Sequence, residues 1–351
     1  MNKIHNFSAG PAILPQEAIV AGAEALTNFA GTGLSILEVS HRSKQFVQVM
    51  DDARAIVKEL MNLGDDYEVV YLQGGASTQF LMVASNLLQS KAAYFDTGTW
   101  ASNAIKEAKF FGEVDVVGSS KDKDYTYIPR DYSISDDVDY VHFTSNNTIY
   151  GSQFHFIPET TRPLICDMSS DIFSRTLDAS KYDLIYAGAQ KNLGPAGATV
   201  VVIKKDLLGK VTRAIPTMLN YQTHIDKESM FNTPPVFAVF VVLQTLKWIK
   251  ARGLERIEAD NKMKAETLYA EIDRNELFKG TVNPADRSWM NATFLLNDDS
   301  LNASFLEAAN EARISGIKGH RSVGGFRASM YNALELDSVK VLVDVMQNFK
   351  S

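Results

Sequence analysis

The sequence is poor in the residues that build disulfide frameworks and thiolate metal sites. Cys166 is its single cysteine, so neither an internal disulfide nor a zinc site made of several cysteines can form, and we expect no metal centre. Such scarcity suits a reducing compartment, which predicts a cytoplasmic protein. The N-terminal residues Met1–Ser8 are too polar for a secretory signal peptide.

Long apolar runs and an excess of positive charge are also missing. The longest apolar run, Val236–Leu243, is far too short to cross a bilayer. The 35 Lys and Arg residues against 42 Asp and Glu give a formal net charge of −7. This balance argues against nucleic acid or an anionic membrane as the main partner. Because 45% of the residues are hydrophobic, the chain can bury a large core.

Apolar runs of strand length alternate with segments of helical periodicity through most of the chain. This rhythm predicts an α/β fold with a mostly parallel sheet between helices. After about residue 255 the pattern changes to two strands and two helices, which predicts a smaller α+β domain. We expect an N-terminal segment at 1–14, a large domain at 15–255 and a small domain at 256–351. The strands of the large domain are expected at 69–72, 92–95, 114–117, 140–143, 164–168, 184–187 and 197–203.

Lys191 stands in a loop of small residues, Ala187–Gly197, between two apolar runs. Lysines are seldom buried without a partner, because desolvating the ammonium is costly. The pattern fits a Schiff-base lysine whose pKa is lowered by its surroundings. It fits equally well a surface lysine at the end of a strand.

Gly74–Thr78 lies between a predicted strand and a predicted helix. Glycines allow the backbone to approach an anion closely, and the free N–H groups and dipole of a helix N-terminus attract it. The segment could therefore hold a phosphate, although an ordinary turn between a strand and a helix has the same appearance.

Two further residues could face a planar, charged ligand. Asp167 ends the apolar run that begins at Pro163, and a carboxylate at the carboxyl end of a parallel strand points into the ligand crevice. It could pair with a cationic ring nitrogen, or cap the turn that Ser169 begins. Trp100, at the start of a helix, could stack on a flat ligand or belong to the core.

Basic residues recur in short turns. Arg321 and Arg327, with His320, fall in a glycine-rich segment, and His41 precedes Arg42. The guanidinium fork matches carboxylate and phosphate geometry, which indicates an acidic substrate if these residues are not simply a solvated surface. A lysine, an acid, an anion cradle and an aromatic platform together suit pyridoxal phosphate.

Five segments resemble the phosphoserine aminotransferase family of class-V pyridoxal-phosphate-dependent enzymes, in that family's order and spacing. The resemblance implies the fold-type I architecture, with a seven-stranded sheet in the large domain, an N-terminal segment packed on the small domain, and a homodimer. The segments are Asn6–Ala12, Glu38–Arg42, Tyr186–Ala196, Ser229–Pro235 and Lys318–Arg321.

The resemblance also implies a role for each matching residue. Lys191 would carry the aldehyde of pyridoxal 5′-phosphate, Asp167 would pair with the ring nitrogen, and Trp100 would stack on the ring. Thr148 would bind near the ring hydroxyl. The cofactor phosphate would be held by Ala76, Ser77 and Gln190, and by Asn232 and Thr233 from the partner subunit. Arg327 would bind the substrate α-carboxylate, and the distal anion would bind His41, Arg42, His320 and Arg321.

The implied reaction transfers the amino group of glutamate to 3-phosphohydroxypyruvate and yields phosphoserine and 2-oxoglutarate. Some relatives also use 4-phosphohydroxy-L-threonine in pyridoxine synthesis, and some carry an arginine where Ser77 stands. The main alternative is another class-V enzyme, such as an alanine–glyoxylate aminotransferase. A cysteine desulfurase would need a mobile nucleophilic thiol, which Cys166 in a predicted strand cannot supply. A nicotinamide oxidoreductase is disfavoured because Gly31–Gly33 follows a helix and lacks the third glycine of the dinucleotide loop.

Overall fold

A computed structural model describes residues 3–350. Its α-helices are α1 Gln16–Thr27, α2 Lys44–Leu60, α3 Gly75–Leu87, α4 Thr99–Ala108, α5 Tyr221–Asp226, α6 Val236–Arg252, α7 Leu254–Arg274, α8 Asn302–Glu311 and α9 Leu336–Asn348. Its strands are β1 His5–Asn6, β2 Tyr67–Leu72, β3 Lys91–Asp96, β4 Glu113–Ser119, β5 Val141–Thr144, β6 Leu164–Asp167, β7 Leu184–Gly188, β8 Thr199–Lys204, β9 Phe278–Gly280, β10 Asn291–Leu296, β11 Ile314–Ser315 and β12 Phe326–Ser329.

Seven strands form one sheet in the order β2-β8-β7-β6-β5-β3-β4. Only β8 runs antiparallel to its neighbours, while the other neighbouring pairs are parallel. The prediction of an α/β fold with a mostly parallel sheet is confirmed. Because six strands share one direction, their carboxyl ends meet at a single edge of the sheet, where ligands bind in such folds.

The loop that carries Lys191 is short because β7 and β8 are antiparallel. If β8 ran parallel to β7, the connection between them would need a dozen or more residues. Here a hydrogen bond from Ala189 N to Ala198 O, at 2.9 Å, joins the two ends of the loop. Thr199 pairs with Gly188 on one side and with Leu72 on the other. The carboxyl end of β2 therefore lies level with the carboxyl end of β7.

The two faces of the large sheet pack on different helices. Side chains of α2 and α6, such as Phe46 and Leu246, join Val200 in one buried cluster. Side chains of α3 and α4, such as Phe80, join Val201 in another. Successive residues of β8 thus enter opposite cores, which explains why these strands read as continuous apolar runs.

A third core lies around the antiparallel sheet β12-β10-β9 and the helices α7, α8 and α9. The N-terminal strand β1 pairs in parallel with β11, and Phe7 is buried in this core. The N-terminal segment thus contacts the C-terminal residues.

The domain limits at 15 and 256 stay predictions. Among residues 3–350, no helix combines the length and apolarity that crossing a membrane requires.

Helix α3 begins four residues earlier than the sequence predicts. We expected it from about Gln79, but it starts at Gly75, after Gly74 adopts a left-handed conformation with φ 94°. Ala76 and Ser77 therefore lie in its first turn. Small residues carry no apolar periodicity, which is why the pattern missed this turn.

The third core depends on a cluster of aromatic rings around Phe305. Its ring centroid lies 4.7 Å from that of Phe326 and 5.2 Å from that of Phe278. We expect Phe305→Ala to lower the free energy of unfolding by about 3–5 kcal/mol, because it removes buried contacts and leaves a cavity. Denaturant titration measures the change. Phe110→Ala is the control, since Phe110 is 75% exposed and should change it by less than about 0.5 kcal/mol. Equal losses in the two variants would contradict the dependence of the third core on Phe305.

Candidate active site

Lys191 directs its amine into the fold. The side chain is partly buried, and Nζ donates to Thr148 Oγ1 at 2.8 Å. Arg327 Nη1 donates to the backbone oxygen of the same threonine at 3.2 Å. Two cationic groups therefore meet at Thr148, and the alternative of a lysine extended into bulk water is wrong.

Asp167 ends β6 on the same edge of the sheet, and its side chain is buried. Burial raises the pKa of its carboxyl, while the Lys191 charge and a hydrogen bond from Ser169 lower that pKa. Ser169 N donates to Asp167 Oδ1 at 2.9 Å, so the aspartate also caps the following turn. The capping and ligand-facing interpretations are thus compatible. Cys166 faces the opposite core, and burial raises its thiol pKa.

The Lys191 amine is shifted toward its neutral form. Burial lowers its pKa to about 8, Asp167 opposes this shift, and the Arg327 charge adds to it. A lysine with this pKa presents a substantial fraction of neutral, nucleophilic amine near neutral pH. This is the property that a Schiff-base lysine requires.

Arg327 connects this amine to a cluster of positive charge. His320 has a lowered pKa because of burial and the charges of Arg327 and Arg321. Among residues 3–350, Arg327 Nε is buried without a hydrogen-bond partner. The lowered pKa favours the neutral imidazole of His320, so Arg321 and Arg327 carry the charge of this group. The three side chains, which we call the cationic cluster, can therefore offer hydrogen-bond donors to an anion.

The backbone that carries the cationic cluster requires glycine. Gly319 N donates to Gly325 O at 2.8 Å, and a Cβ on Gly319 would lie 2.0 Å from Gly324 O. Any side chain there would push the loop apart. This close approach explains the glycine-rich sequence around His320.

The first turn of α3 forms an open cradle. Gly74 provides no side-chain cap, and a Cβ on Gly75 would meet nothing within 4 Å. The N–H groups of the first helical turn, which include those of Ala76 and Ser77, have no intrahelical acceptor and can donate to an anion. The Gln190 side chain folds against the end of β7, since a Cβ on Gly188 would lie 2.6 Å from Gln190 Oε1.

Trp100 lies in the first turn of α4, next to the segment that carries Thr148. Thr99 Oγ1 and Tyr150 OH are 3.2 Å apart. The indole packs partly on the core of α3 and α4. Within the described residues its Nε1 is buried and has no partner. Both interpretations of Trp100, core residue and ligand platform, are therefore compatible with its position.

Four of the predicted site residues lie on two other segments of the chain. His41 and Arg42 precede α2, while Asn232 and Thr233 are exposed before α6. Gln73 Nε2 donates to Thr233 O at 3.0 Å. Within residues 3–350, no hydrogen bond or ion pair joins their side chains to the group around Lys191.

A second buried acid was missed by the sequence reasoning. Asp171 raises the Asp167 pKa and raises that of Lys191. Its Oδ2 accepts from Gln153 Nε2 at 3.2 Å, and Ser145 Oγ donates to Oδ1. A second aspartate four residues after the first was the available signal.

Comparison with known proteins decides the family. The aminotransferase class-V model matches residues 4–342. This chain belongs to the class-V aminotransferase family. It is 60% identical to a phosphoserine aminotransferase of Parabacteroides distasonis over 99% of each chain.

Solved structures of class-V aminotransferases agree with this assignment. A phosphoserine aminotransferase from Bacillus circulans subsp. alkalophilus has a TM-score of 0.95 and 43% identity, covering 98% of each chain. The pyridoxal-phosphate-bound phosphoserine aminotransferase from Trichomonas vaginalis has a TM-score of 0.93 and 35% identity, covering 99% of this chain and 100% of that one.

As a class-V aminotransferase, the chain is a transaminase that uses pyridoxal 5′-phosphate. The residues present fit this group: the partly buried amine of Lys191 for its aldehyde, the buried Asp167 for its ring nitrogen, and the open first turn of α3 for its phosphate. The unpartnered Nε of Arg327 fits the carboxylate of an amino acid.

The pKa of Lys191 can be tested in protein from which the cofactor has been removed. Because only the neutral amine attacks an aldehyde, the rate of pyridoxal phosphate attachment should rise with pH and be half-maximal near pH 8. Asp167→Asn should lower this midpoint, and Arg327→Gln should raise it. Stopped-flow absorbance measures the rate, and borohydride trapping with peptide mass spectrometry locates the lysine. A midpoint near the ordinary value of 10.5 would contradict the assignment.

Proposed function

We propose that the protein reversibly transfers the amino group of L-glutamate to 3-phosphohydroxypyruvate, giving O-phospho-L-serine and 2-oxoglutarate in serine biosynthesis. The observation that carries this proposal is the partly buried Lys191 amine, near Asp167 and next to the cationic cluster. Relatives that are 60% identical to this chain support the substrate class, since they are named phosphoserine aminotransferases.

Pyridoxal phosphate, when bound, supplies an aldehyde for amines and a protonated ring that withdraws electrons. In this site, Lys191 holds the aldehyde, Asp167 pairs with the ring nitrogen and Trp100 covers the ring. Thr148, which already accepts from Lys191 Nζ, binds near the ring hydroxyl. Ala76, Ser77 and Gln190 hold the phosphate at the first turn of α3.

Lys191 is the proton carrier. With an amino acid bound, the free amine of Lys191 would take the proton from the substrate Cα and later give it up again, while the cofactor would supply the electron-withdrawing ring. A pKa of about 8 suits both tasks, because a general base works best when its pKa lies near the operating pH. The same side chain positions the group and moves the proton, so no second base has to diffuse in.

Asp167 must stay ionised to keep the ring nitrogen protonated. Burial opposes ionisation, but the Ser169 N–H and the Lys191 charge favour it. A ring cation at the same place would add a further favourable charge. The aspartate and the cofactor therefore stabilise each other's charged forms.

The cationic cluster selects the substrates. Arg327 binds the α-carboxylate, and His320 and Arg321, with His41 and Arg42, bind the distal anion. Glutamate and phosphoserine both carry an α-carboxylate and a distal anion, so one pocket serves both half-reactions. 4-Phosphohydroxy-L-threonine has the same two anions, and an assay with it decides the proposed role in pyridoxine biosynthesis. Ser77 supplies no cation where some relatives have arginine, which leaves the cluster as the main anion site.

The site is completed in a homodimer. Asn232 and Thr233 are exposed, which supports their binding the cofactor phosphate of the partner subunit. A sedimentation mass of one chain would contradict this arrangement.

A cytoplasmic location is part of the proposal, supported by the single, buried cysteine. That buried thiol also disfavours a desulfurase, and higher turnover of alanine with glyoxylate than of phosphoserine with 2-oxoglutarate would favour the alanine–glyoxylate alternative.

Absorbance of the purified protein tests the proposed reaction. The protein should show a visible band of bound pyridoxal phosphate, and phosphoserine should shift that band as the amino group moves to the cofactor. Lys191→Ala should lose the Schiff-base band and the turnover, because no other amine is placed at the aldehyde. Lys340→Ala, which changes a lysine on the surface of α9, should keep both. Full turnover in Lys191→Ala would refute the assignment.

The substrate-anion residues can be separated from the cofactor residues. We expect Arg321→Ala and Arg42→Ala to weaken phosphoserine binding by about tenfold or more, because each removes a charged hydrogen-bond donor. Pyridoxal phosphate binding should change much less. Spectral titration of each variant with both ligands makes the comparison, and the exposed Arg274→Ala serves as control. Equal losses for both ligands would argue against a role in binding the substrate anion.

A further inference from the structure

A second buried lysine lies outside the site described above. Lys264, in α7, is 1% exposed. Its Nζ donates to three backbone oxygens, those of Met330 at 3.0 Å, Tyr331 at 2.8 Å and Leu334 at 3.0 Å. These residues belong to the segment Met330–Leu334, here called the 330–334 turn, which directly follows β12. The lysine thus fastens this turn to α7.

The three acceptors require the ammonium form of Lys264. A neutral amine has two N–H donors, so one carbonyl would be left facing a lone pair. Burial lowers the pKa of Lys264 to about 7, Asp260 raises it and Arg252 lowers it further. The three carbonyl oxygens favour the charged form against this burial. In its charged form the anchor therefore has all three of its N–H donors hydrogen-bonded.

A second hydrogen-bonded path runs from α7 through Asn332. Asn261, also in α7, donates from Nδ2 to Asn332 Oδ1 at 2.9 Å. Asn332 Nδ2 donates to Phe173 O at 3.0 Å, and Asn332 N donates to Asn192 Oδ1 at 3.0 Å. The 330–334 turn is therefore held by α7 on one side and holds Asn192 on the other.

Asn192 is the residue that follows Lys191. Its Nδ2 donates to Ser170 O at 3.4 Å and to Ile172 O at 3.3 Å. Both acceptors lie just after Asp167. The hydrogen-bonded path that starts at Lys264 thus ends between Lys191 and Asp167. Its other branch leads back along β12 to Arg327, three residues before Met330.

We propose that Lys264 is a positioning residue that holds Lys191 and Arg327 in place through the 330–334 turn, Asn332 and Asn192. This proposal rests on the roles given to Lys191 and Arg327 in the proposed function. Lys264 touches neither substrate nor cofactor; it fixes the backbone on which the amine and the carboxylate-binding arginine stand. A displacement of about 1 Å at such a site can cost about 100-fold in rate.

The test compares two variants of α7. Lys264→Met keeps the length of the side chain and removes the ammonium. Leu268→Ala, one turn further along, removes buried packing in the same helix but leaves the Lys264 ammonium and its three acceptors unchanged. We expect Lys264→Met to lower kcat by about 10- to 100-fold and to move the pH midpoint of the visible absorbance of the pyridoxal-phosphate-loaded protein. Leu268→Ala should lower the melting temperature and leave that midpoint and kcat near those of the unmodified protein.

The absorbance midpoint distinguishes positioning from simple loss of stability. An unchanged midpoint and kcat in Lys264→Met, or an equal shift in Leu268→Ala, would overturn the proposal. If Lys264→Met does not fold, Asn332→Ala is measured instead, because it removes the side-chain hydrogen bonds that join Asn332 to Asn261 in α7 and to Phe173 O. A shifted absorbance midpoint in Asn332→Ala would support the proposal. An unchanged midpoint would overturn it. Failure of the proposed function would show differently, as an unmodified protein whose spectrum does not respond to phosphoserine.

Discussion

The site depends on the attraction between the Lys191 ammonium and the Asp167 carboxylate. Burial alone would favour the neutral form of each group. Burial lowers the pKa of Lys191 and raises that of Asp167, and each charge partly offsets the shift of the other. The lysine therefore keeps a pKa near the physiological range, and the aspartate can remain ionised. An isolated lysine or aspartate at the same depth would be neutral over a wider range of pH. The chemistry of a transaminase needs both groups, one as a base and one as a fixed negative charge.

Sheet topology explains how these two charges meet. Asp167 and Lys191 lie at the carboxyl ends of β6 and β7, which are neighbours in parallel register. The antiparallel strand β8 brings β2 level with them, and β2 leads directly into the cradle at Gly75. The C-terminal sheet contributes Arg327 from β12, whose Nη1 reaches Thr148 O. Four separate parts of the chain therefore converge at one edge of one sheet.

Much of the fold could be predicted because burial leaves a periodic signal. The strands of the large sheet, buried on both faces, read as apolar runs, and α2 showed its apolar side at helical spacing. The first turn of α3 gave no such signal, since Gly75 and Ala76 are small and half-buried. The hydrogen-bonded path from Lys264 to Asn192 gave none either. It joins polar residues 72 positions apart, and polar contacts across the chain leave no periodicity.

By itself, the sequence determined the α/β class, the mostly parallel sheet and the residue types for an amine, an acid and an anion cradle. Its resemblance to one enzyme family indicated how they are used. Only the tertiary structure decided that the Lys191 amine points inward to Thr148, that the Arg327 charge acts on this amine, and that the Arg321 and Arg327 charges act on His320. The reason is physical: local patterns record which residues are buried, whereas a pKa depends on which charges face each other after folding.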